Sequence, residues 1–324
     1  MIPLKIIHPQ VSREELAEVQ HYKRLLKKAA QNAPLLPNEP RDRAIAMRQA
    51  LSKAPFISKP HPQGQTRTID SSASSVKIRV LLPPTIKAVY LDIHGGGWAI
   101  GSATMGERLN WQLAETAGVA VVSVDYRLAP EYPYPAAPDD CEAVAVWLLE
   151  TAKGEFGTER LLIGGESAGA HLAVATLLRV RDRYQALDRF EAANLFYGIY
   201  DLGGTPSCRL GGCEASGDLT PARMTWYTDL FLPNVPTEAR RDRAYSPLYA
   251  DLAGMPPALL TVSHSDILLD DSLFLASRWA AAGSPAELAI YPELPHGFTL
   301  LPLSLARKAY ARSLEFICCV VNRI

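Results

Sequence analysis

The sequence predicts an α/β fold, a mostly parallel sheet covered by helices on both faces. From residue 88 onward, short continuous apolar runs alternate with stretches of helical periodicity. That pattern belongs to strands buried on both sides and joined by crossover helices. Two extended segments before residue 83 lie close enough to pair as a hairpin, which makes the N-terminal edge of the sheet antiparallel. The 324 residues, 48% of them hydrophobic, have room for one large domain or two ordinary ones.

The elements follow in order. Ser12 with Glu15 forms a capping box, acids fill the next turn, and Lys23, Arg24, Lys27 and Lys28 crowd the far end, so a helix is expected from Ser12 to Gln31. Pro34, Pro37 and Pro40 interrupt it, and a second helix is expected from about Arg41 to Leu51. Both precede the first strand signal and read as an appendage, either a packing arm or part of a cap. Thr66 to Asp70 and Ser75 to Leu82 are the paired extended segments, joined by a Ser-rich turn. Ala88 to Ile93 and Val119 to Val124 are buried strands around a helix from about Thr104 to Ala117. A proline-rich loop leads to a helix from Cys141 to about Lys153, with Asp139 or Asp140 as its cap. Arg160 to Ile163 is a strand, followed by a helix to about Tyr184 and a strand from Ala192 to Tyr197. Residues 201 to 245 are irregular apart from a helix from Pro221 to Phe231, and irregular stretches of this length are usually lids or binding loops. Pro257 to Val262 (strand), Leu268 to Ala282 (helix), Glu287 to Tyr291 (strand) and Ser304 to Val321 (helix) complete the pattern.

Composition narrows the function. Lys+Arg 33 against Asp+Glu 34 gives no excess charge that would suit nucleic acid or an anionic membrane. No apolar run is long enough for a membrane-spanning helix, and the N-terminus shows no sustained apolar stretch of a signal peptide. Cys141, Cys208, Cys213, Cys318 and Cys319 lack metal-ligand spacing, so no metal site is expected and reduced thiols in a cytoplasmic protein fit. Cys208 and Cys213 are close enough in sequence to pair, but two free thiols fit equally.

The chemistry centres on Gly165-Glu166-Ser167-Ala168-Gly169. It matches G-x-S-x-G, the nucleophile elbow of α/β-hydrolases, with a strand before it and a helix after it. The turn is strained, and its glycines let two backbones pass. A serine hydroxyl needs a base, and the base needs an orienting acid, in the chain order Ser, acid, His. Of the later histidines, His171 lies along the elbow's own helix and reads as a packed residue, and His264 reads as a loop residue. His296 follows the last strand in Pro295-His296-Gly297-Phe298 and is the expected base. Asp266 follows the Leu259 to Val262 strand and is the expected acid, with Asp201 as fallback; Asp270 and Asp271 sit in a helical first turn, where carboxylates are common. The backbone N–H groups of Ala168, Gly96 and Gly97 are the expected oxyanion donors, the latter two from His94-Gly95-Gly96-Gly97 at a strand end. Trp98, directly after that run, is a candidate substrate-binding residue.

His94-Gly95-Gly96-Gly97-Trp98, Asp125-Tyr126-Arg127-Leu128-Ala129-Pro130-Glu131, the serine pentapeptide, Asp266 with Asp270-Asp271, and Pro295-His296-Gly297-Phe298 occur in this order over residues 94 to 298. Together they resemble the hormone-sensitive-lipase-like family of carboxylesterases. The resemblance implies a single α/β-hydrolase domain over 1–324, with a helical cap from about 1–55 plus about 201–245. It implies a Ser167, Asp266 and His296 triad, structural roles for Asp125, Arg127 and Glu131, short- to medium-chain acyl esters as substrates, no cofactor, and often a homodimer. The chain departs from most members in Glu166, Ala170 and the Ile267-Leu268 pair after the acid. An amidase or deacetylase would use the same parts. A binding receptor on this fold would lack the histidine, and a lipase would need an apolar lid that is not seen here.

Overall fold

In a computed structural model, residues 3–31, 35–53, 60–70, 75–211 and 219–323 are described. The strands among them are β1 (Leu4–Ile7), β2 (Gln65–Asp70), β3 (Ser75–Leu81), β4 (Ala88–Ile93), β5 (Val119–Asp125), β6 (Leu161–Glu166), β7 (Phe190–Phe196), β8 (Ala258–Ser263) and β9 (Ala286–Tyr291). They form one sheet in the order β1-β9-β8-β7-β6-β4-β5-β3-β2. β2 and β3 run antiparallel, and every other pairing except that of β3 with β5 is parallel. The antiparallel edge is therefore where the hairpin pattern put it.

The helices are α1 (Arg13–Gln31), α2 (Pro40–Ser52), α3 (Glu107–Ala117), α4 (Ala136–Phe156), α5 (Ala168–Tyr184), α6 (Pro206–Leu210), α7 (Pro221–Phe231), α8 (Leu269–Ala281) and α9 (Ser304–Val321). The capping box of α1 is reciprocal: Ser12 N–H donates to Glu15 at 2.8 Å and Glu15 N–H donates to Ser12 at 3.2 Å. Pro221 opens α7, where its missing N–H has no intrahelical role, and the Thr220 hydroxyl accepts from Arg223 N–H. Apolar side chains such as Leu91, Val122, Ile163 and Leu260 are fully buried in the core strands, consistent with helices on both faces.

Two expectations need correcting. The helices α1 and α2 do not precede the first strand, because Leu4–Ile7 pairs in parallel with Ala286–Ala289. Four residues carry too little pattern to announce a strand whose partner lies at the other end of the chain. The helix expected from Cys141 begins five residues earlier, at Ala136. Pro138 falls in its first turn, where no N–H is needed, so the prolines do not delay the helix. Asp139 and Asp140 are then inside the helix and cap nothing. Asp140 instead accepts from the Arg127 backbone and guanidinium, and Asp139 pairs with Arg179. The Ser-rich turn, Pro34 and Cys213 lie outside the described residues, while Cys208 is buried and free.

Candidate active site

The C-terminal ends of β4, β6, β8 and β9 converge on one place. β8 and β9 are neighbours in register, Ser263 beside Tyr291, so Asp266 and His296, a few residues beyond each end, meet above the sheet. His296 Nδ1 donates to Asp266 Oδ2 at 2.8 Å. His296 Nε2 lies 2.9 Å from Ser167 Oγ and is left free to accept its proton. Asp266 is almost wholly buried, and its other oxygen accepts from Leu268 N–H at 2.9 Å. The carboxylate is thus fixed by the start of the same loop that carries it.

The elbow has the strain its motif demands. Ser167 has φ 55° and ψ −117°, a backbone conformation that a side chain rarely adopts. Its N–H donates to Phe196 O at 2.9 Å, which ties the turn to the end of β7. A Cβ on Gly165 would stand 2.5 Å from the Gly169 backbone, and one on Gly169 would stand 1.9 Å from Ile93 O. Both glycines are there because three backbones cross.

The glycine run leaves β4 in conformations open to glycine, with φ +116° at Gly96 and +57° at Gly97. The His94 ring stacks on Tyr126 at 4.1 Å, and Tyr126 donates to His94 O at 2.9 Å, which anchors the base of the loop. Burial drives the pKa of His94 down to about 4, so the ring is neutral, and its Nδ1–H donates to Gly95 O. The N–H groups of Gly96 and Gly97 have no backbone acceptor among the described residues. Together with Ala168, at the first position of α5, these glycines border a cavity of about 200 Å³ that also reaches Ser167 and His296. Leu219, Met224 and Tyr227 at and on α7 also line it, as do Met105 and Leu300.

The remaining candidates sort cleanly. Trp98 borders the cavity, but its indole is fully buried, stacked on Phe231 at 4.5 Å and donating to His171 Nδ1 at 3.2 Å. His171 Nε2–H in turn donates to Tyr245 O at 2.8 Å, and burial lowers its pKa to about 4, so it is a packed neutral histidine. The His264 side chain faces solvent. Asp201 is held by Arg241, Tyr249 and Gly203, Asp270 accepts from Ser207 N–H, and Asp271 binds the Tyr200–Thr205 loop. None of these is brought to the serine. Asp125 accepts from Ala103 N–H, and Glu131 accepts two bonds from Arg48 on α2. Sequence reasoning passed over Arg48, Tyr197 and Thr299. Of these only Tyr197 carried a signal, its place directly after a central strand.

Among the described residues no group of His, Cys, Asp and Glu has the arrangement of a metal site, and no helix is long and apolar enough to cross a membrane.

Comparison with known proteins places the chain in a family. A family defined by the alpha/beta hydrolase fold matches residues 90–300. An acetyl esterase of Salmonella choleraesuis (strain SC-B67) is 32% identical over 272 residues, covering 82% of this chain and 83% of the relative. The crystal structure of EstE5, soaked with p-nitrophenyl butyrate, superposes with a TM-score of 0.79 at 27% identity, over 94% of this chain and 99% of that one. A hormone-sensitive lipase from a metagenome library gives a TM-score of 0.79 at 29% identity, over 94% and 98% of the two chains. By sequence and by fold the chain belongs to the hormone-sensitive-lipase-like esterases of the alpha/beta hydrolase family, and it is a carboxylic ester hydrolase.

Proposed function

We propose that this enzyme hydrolyses short- to medium-chain acyl esters through Ser167, His296 and Asp266. The observation that carries the reading is the unbroken series Ser167 Oγ, His296 Nε2, His296 Nδ1 and Asp266 Oδ2, with links of 2.9 and 2.8 Å, at the edge of a cavity of about 200 Å³. Ser167 Oγ attacks the ester carbonyl while His296 Nε2 takes its proton. Asp266 holds the imidazole in the tautomer that can accept, and stabilises the imidazolium once formed. The N–H groups of Gly96, Gly97 and Ala168 receive the oxyanion of the tetrahedral intermediate. The intermediate collapses as His296 returns the proton to the departing alkoxide, leaving Ser167 acylated. Water then attacks the acyl-enzyme, giving a proton to His296; as the C–Oγ bond breaks His296 passes that proton to Ser167 Oγ, and the acid leaves.

The walls of the cavity support this acyl range. A cavity this small, with Tyr227 lying against the Gly97 backbone, suits a short acyl chain better than a long one. The acetyl esterase relative and the p-nitrophenyl butyrate soaked into EstE5 support the same range. In this reading α1, α2 and the segment around α7 act as a cap. Support comes from α7, which faces the cavity, and from Lys23 on α1, which pairs with Glu293 just before the base loop.

Hydrolysis of p-nitrophenyl esters of increasing chain length, with wild type beside Ser167→Ala, tests the proposal. The expected result is a maximum at short acyl chains and a loss of at least about 10³-fold in kcat for the variant, with Tm unchanged. Activity retained by Ser167→Ala would remove the serine from the mechanism.

A further inference from the structure

Glu166 fills the variable place before the serine, and its side chain is engaged with the loop that carries the base. Thr299, three residues beyond His296, donates its hydroxyl to Glu166 Oε1 at 2.7 Å. That spends the only hydroxyl hydrogen of Thr299, so in the contact between the Tyr197 hydroxyl and Thr299 Oγ1 the tyrosine is the donor. Tyr197 and Thr299 are both buried. The Tyr197 ring meets His296 edge-on at 5.0 Å and Phe298 edge-on at 5.0 Å, so it packs against the base loop on both sides of Gly297. Its backbone has φ 36°, uncommon for a bulky side chain, and is held by a bond from its N–H to Thr261 O at 2.7 Å.

We propose that Glu166, Thr299 and Tyr197 form a positioning device that sets His296 over Ser167. Glu166 is bonded covalently to Ser167, and Thr299 lies one short turn from His296, so the Thr299–Glu166 bond fixes the distance between nucleophile and base from outside the reacting pair. The inference rests on the proposed role of His296 as the base. A hydrogen bond donated into a carboxylate, itself polarised by a second donor, is the kind of contact that holds a loop tightly. Burial, with the nearby Asp92 on β4, pushes the Glu166 carboxyl up to about 7, against the opposing pull of Thr299, Tyr197 and His296. Tyr90 on β4 and Tyr310 on α9 also lie near it, and His94 lines the same cavity.

The test is kcat and KM on a short p-nitrophenyl ester, expressed per active site titrated with diethyl p-nitrophenyl phosphate, so that unfolded molecules are not counted. Thr299→Val and Glu166→Ala are expected to lose about 10- to 100-fold in kcat with KM unchanged, the scale of a small misplacement of a reacting group. Thr299→Ser restores the rate. Glu166→Gln, which keeps an acceptor for Thr299, stays within about threefold of wild type under the same positioning argument. Tyr197→Phe keeps the ring, removes only the donor, and falls between these limits, which serves if Thr299→Val does not fold. Wild-type kcat per titrated site in Thr299→Val, or in Tyr197→Phe should Thr299→Val not fold, would overturn the proposal. Ser167→Ala, which has no serine to titrate and is therefore assayed per mole of folded protein, separates the two ideas. If it is inactive while Thr299→Val is normal, only the positioning device fails; if it is active, the proposed mechanism itself fails.

Discussion

Arg48 Nε donates to the carbonyl oxygen of Ala99 at 2.7 Å, so a helix from the first part of the chain holds the far side of the glycine loop. The same guanidinium donates to Ala129 O at 2.7 Å and to both oxygens of Glu131 at 2.9 and 2.8 Å. Glu131 is held below the usual carboxylate range by Arg48, as expected of a paired acid. Arg48→Ala is expected to lower kcat several-fold and to cost about 1–3 kcal/mol, because it leaves two carbonyls and a carboxylate without their donor. Arg48→Lys should recover only part of both, since an ammonium cannot serve a bidentate carboxylate and two carbonyls together. Steady-state kinetics and thermal unfolding on the three proteins decide it. A fall in Tm with unchanged kcat would mean the glycine loop keeps its shape unaided.

Gly169→Ala and Gly154→Ala make an opposed pair. The first would drive a methyl group to within 1.9 Å of Ile93 O, a backbone atom that cannot turn aside. Loss of more than about 2 kcal/mol and of most activity is expected. Gly154 lies on α4, and a methyl group added there would meet nothing within 4 Å, so alanine should stabilise by about 0.5–1 kcal/mol. Urea unfolding of both would measure the contrast, and a stable, active Gly169→Ala enzyme would contradict the crossing described at the elbow.

His296→Ala should lose ester turnover about as fully as Ser167→Ala, while His264→Ala, whose side chain is exposed, should change kcat by less than about twofold. The reverse outcome would move the base to the neighbouring loop.

A pH effect is expected from Asp92, whose pKa burial raises to about 6 even though Ser123 and Asn110 both donate to its Oδ2. A carboxyl with a folded pKa above its unfolded one binds more protons when folded. Its contribution is complete below about pH 3.8 and is lost as pH rises through about 6. Asp92→Asn keeps an acceptor for both donors and cannot ionise. Wild type should therefore lose stability relative to Asp92→Asn as pH climbs from 4 to 7, by at most about 3 kcal/mol, two pKa units' worth, and the difference should be flat above that. Unfolding free energies at four or five pH values would show it, and a difference independent of pH would refute the assignment.

What could be read ahead of the structure was whatever carries its own geometry. The glycines around Ser167 announce a crossing of backbones, and Asp266 and His296 stand just past apolar runs, where a parallel sheet delivers its loops to one edge. Ser12 with Glu15 marked the start of α1 because a capping box is local. The start of α4 was misplaced because an aspartate before a helical run resembles a cap equally well when it is bound to an arginine. Arg48 and Thr299 were invisible for a different reason. An arginine on an amphipathic helix and a threonine in a loop look ordinary until the fold shows that their partners are 83 and 133 positions away.

The pairing of β1 with β9 has a consequence for how the chain is made. Leu4–Ile7 can find this strand partner only when Ala286–Ala289 has been synthesised, 282 positions later (286 minus 4). As residues leave the ribosome, most of the sheet can assemble from strands already available, but this edge must wait. Leu4–Ile7 is thus made long before it can be placed, and it docks on the strand that leads directly to His296. Completion of the sheet and assembly of the proposed triad fall at the same late moment, so a partly translated chain would hold Ser167 in its elbow without the histidine proposed to activate it.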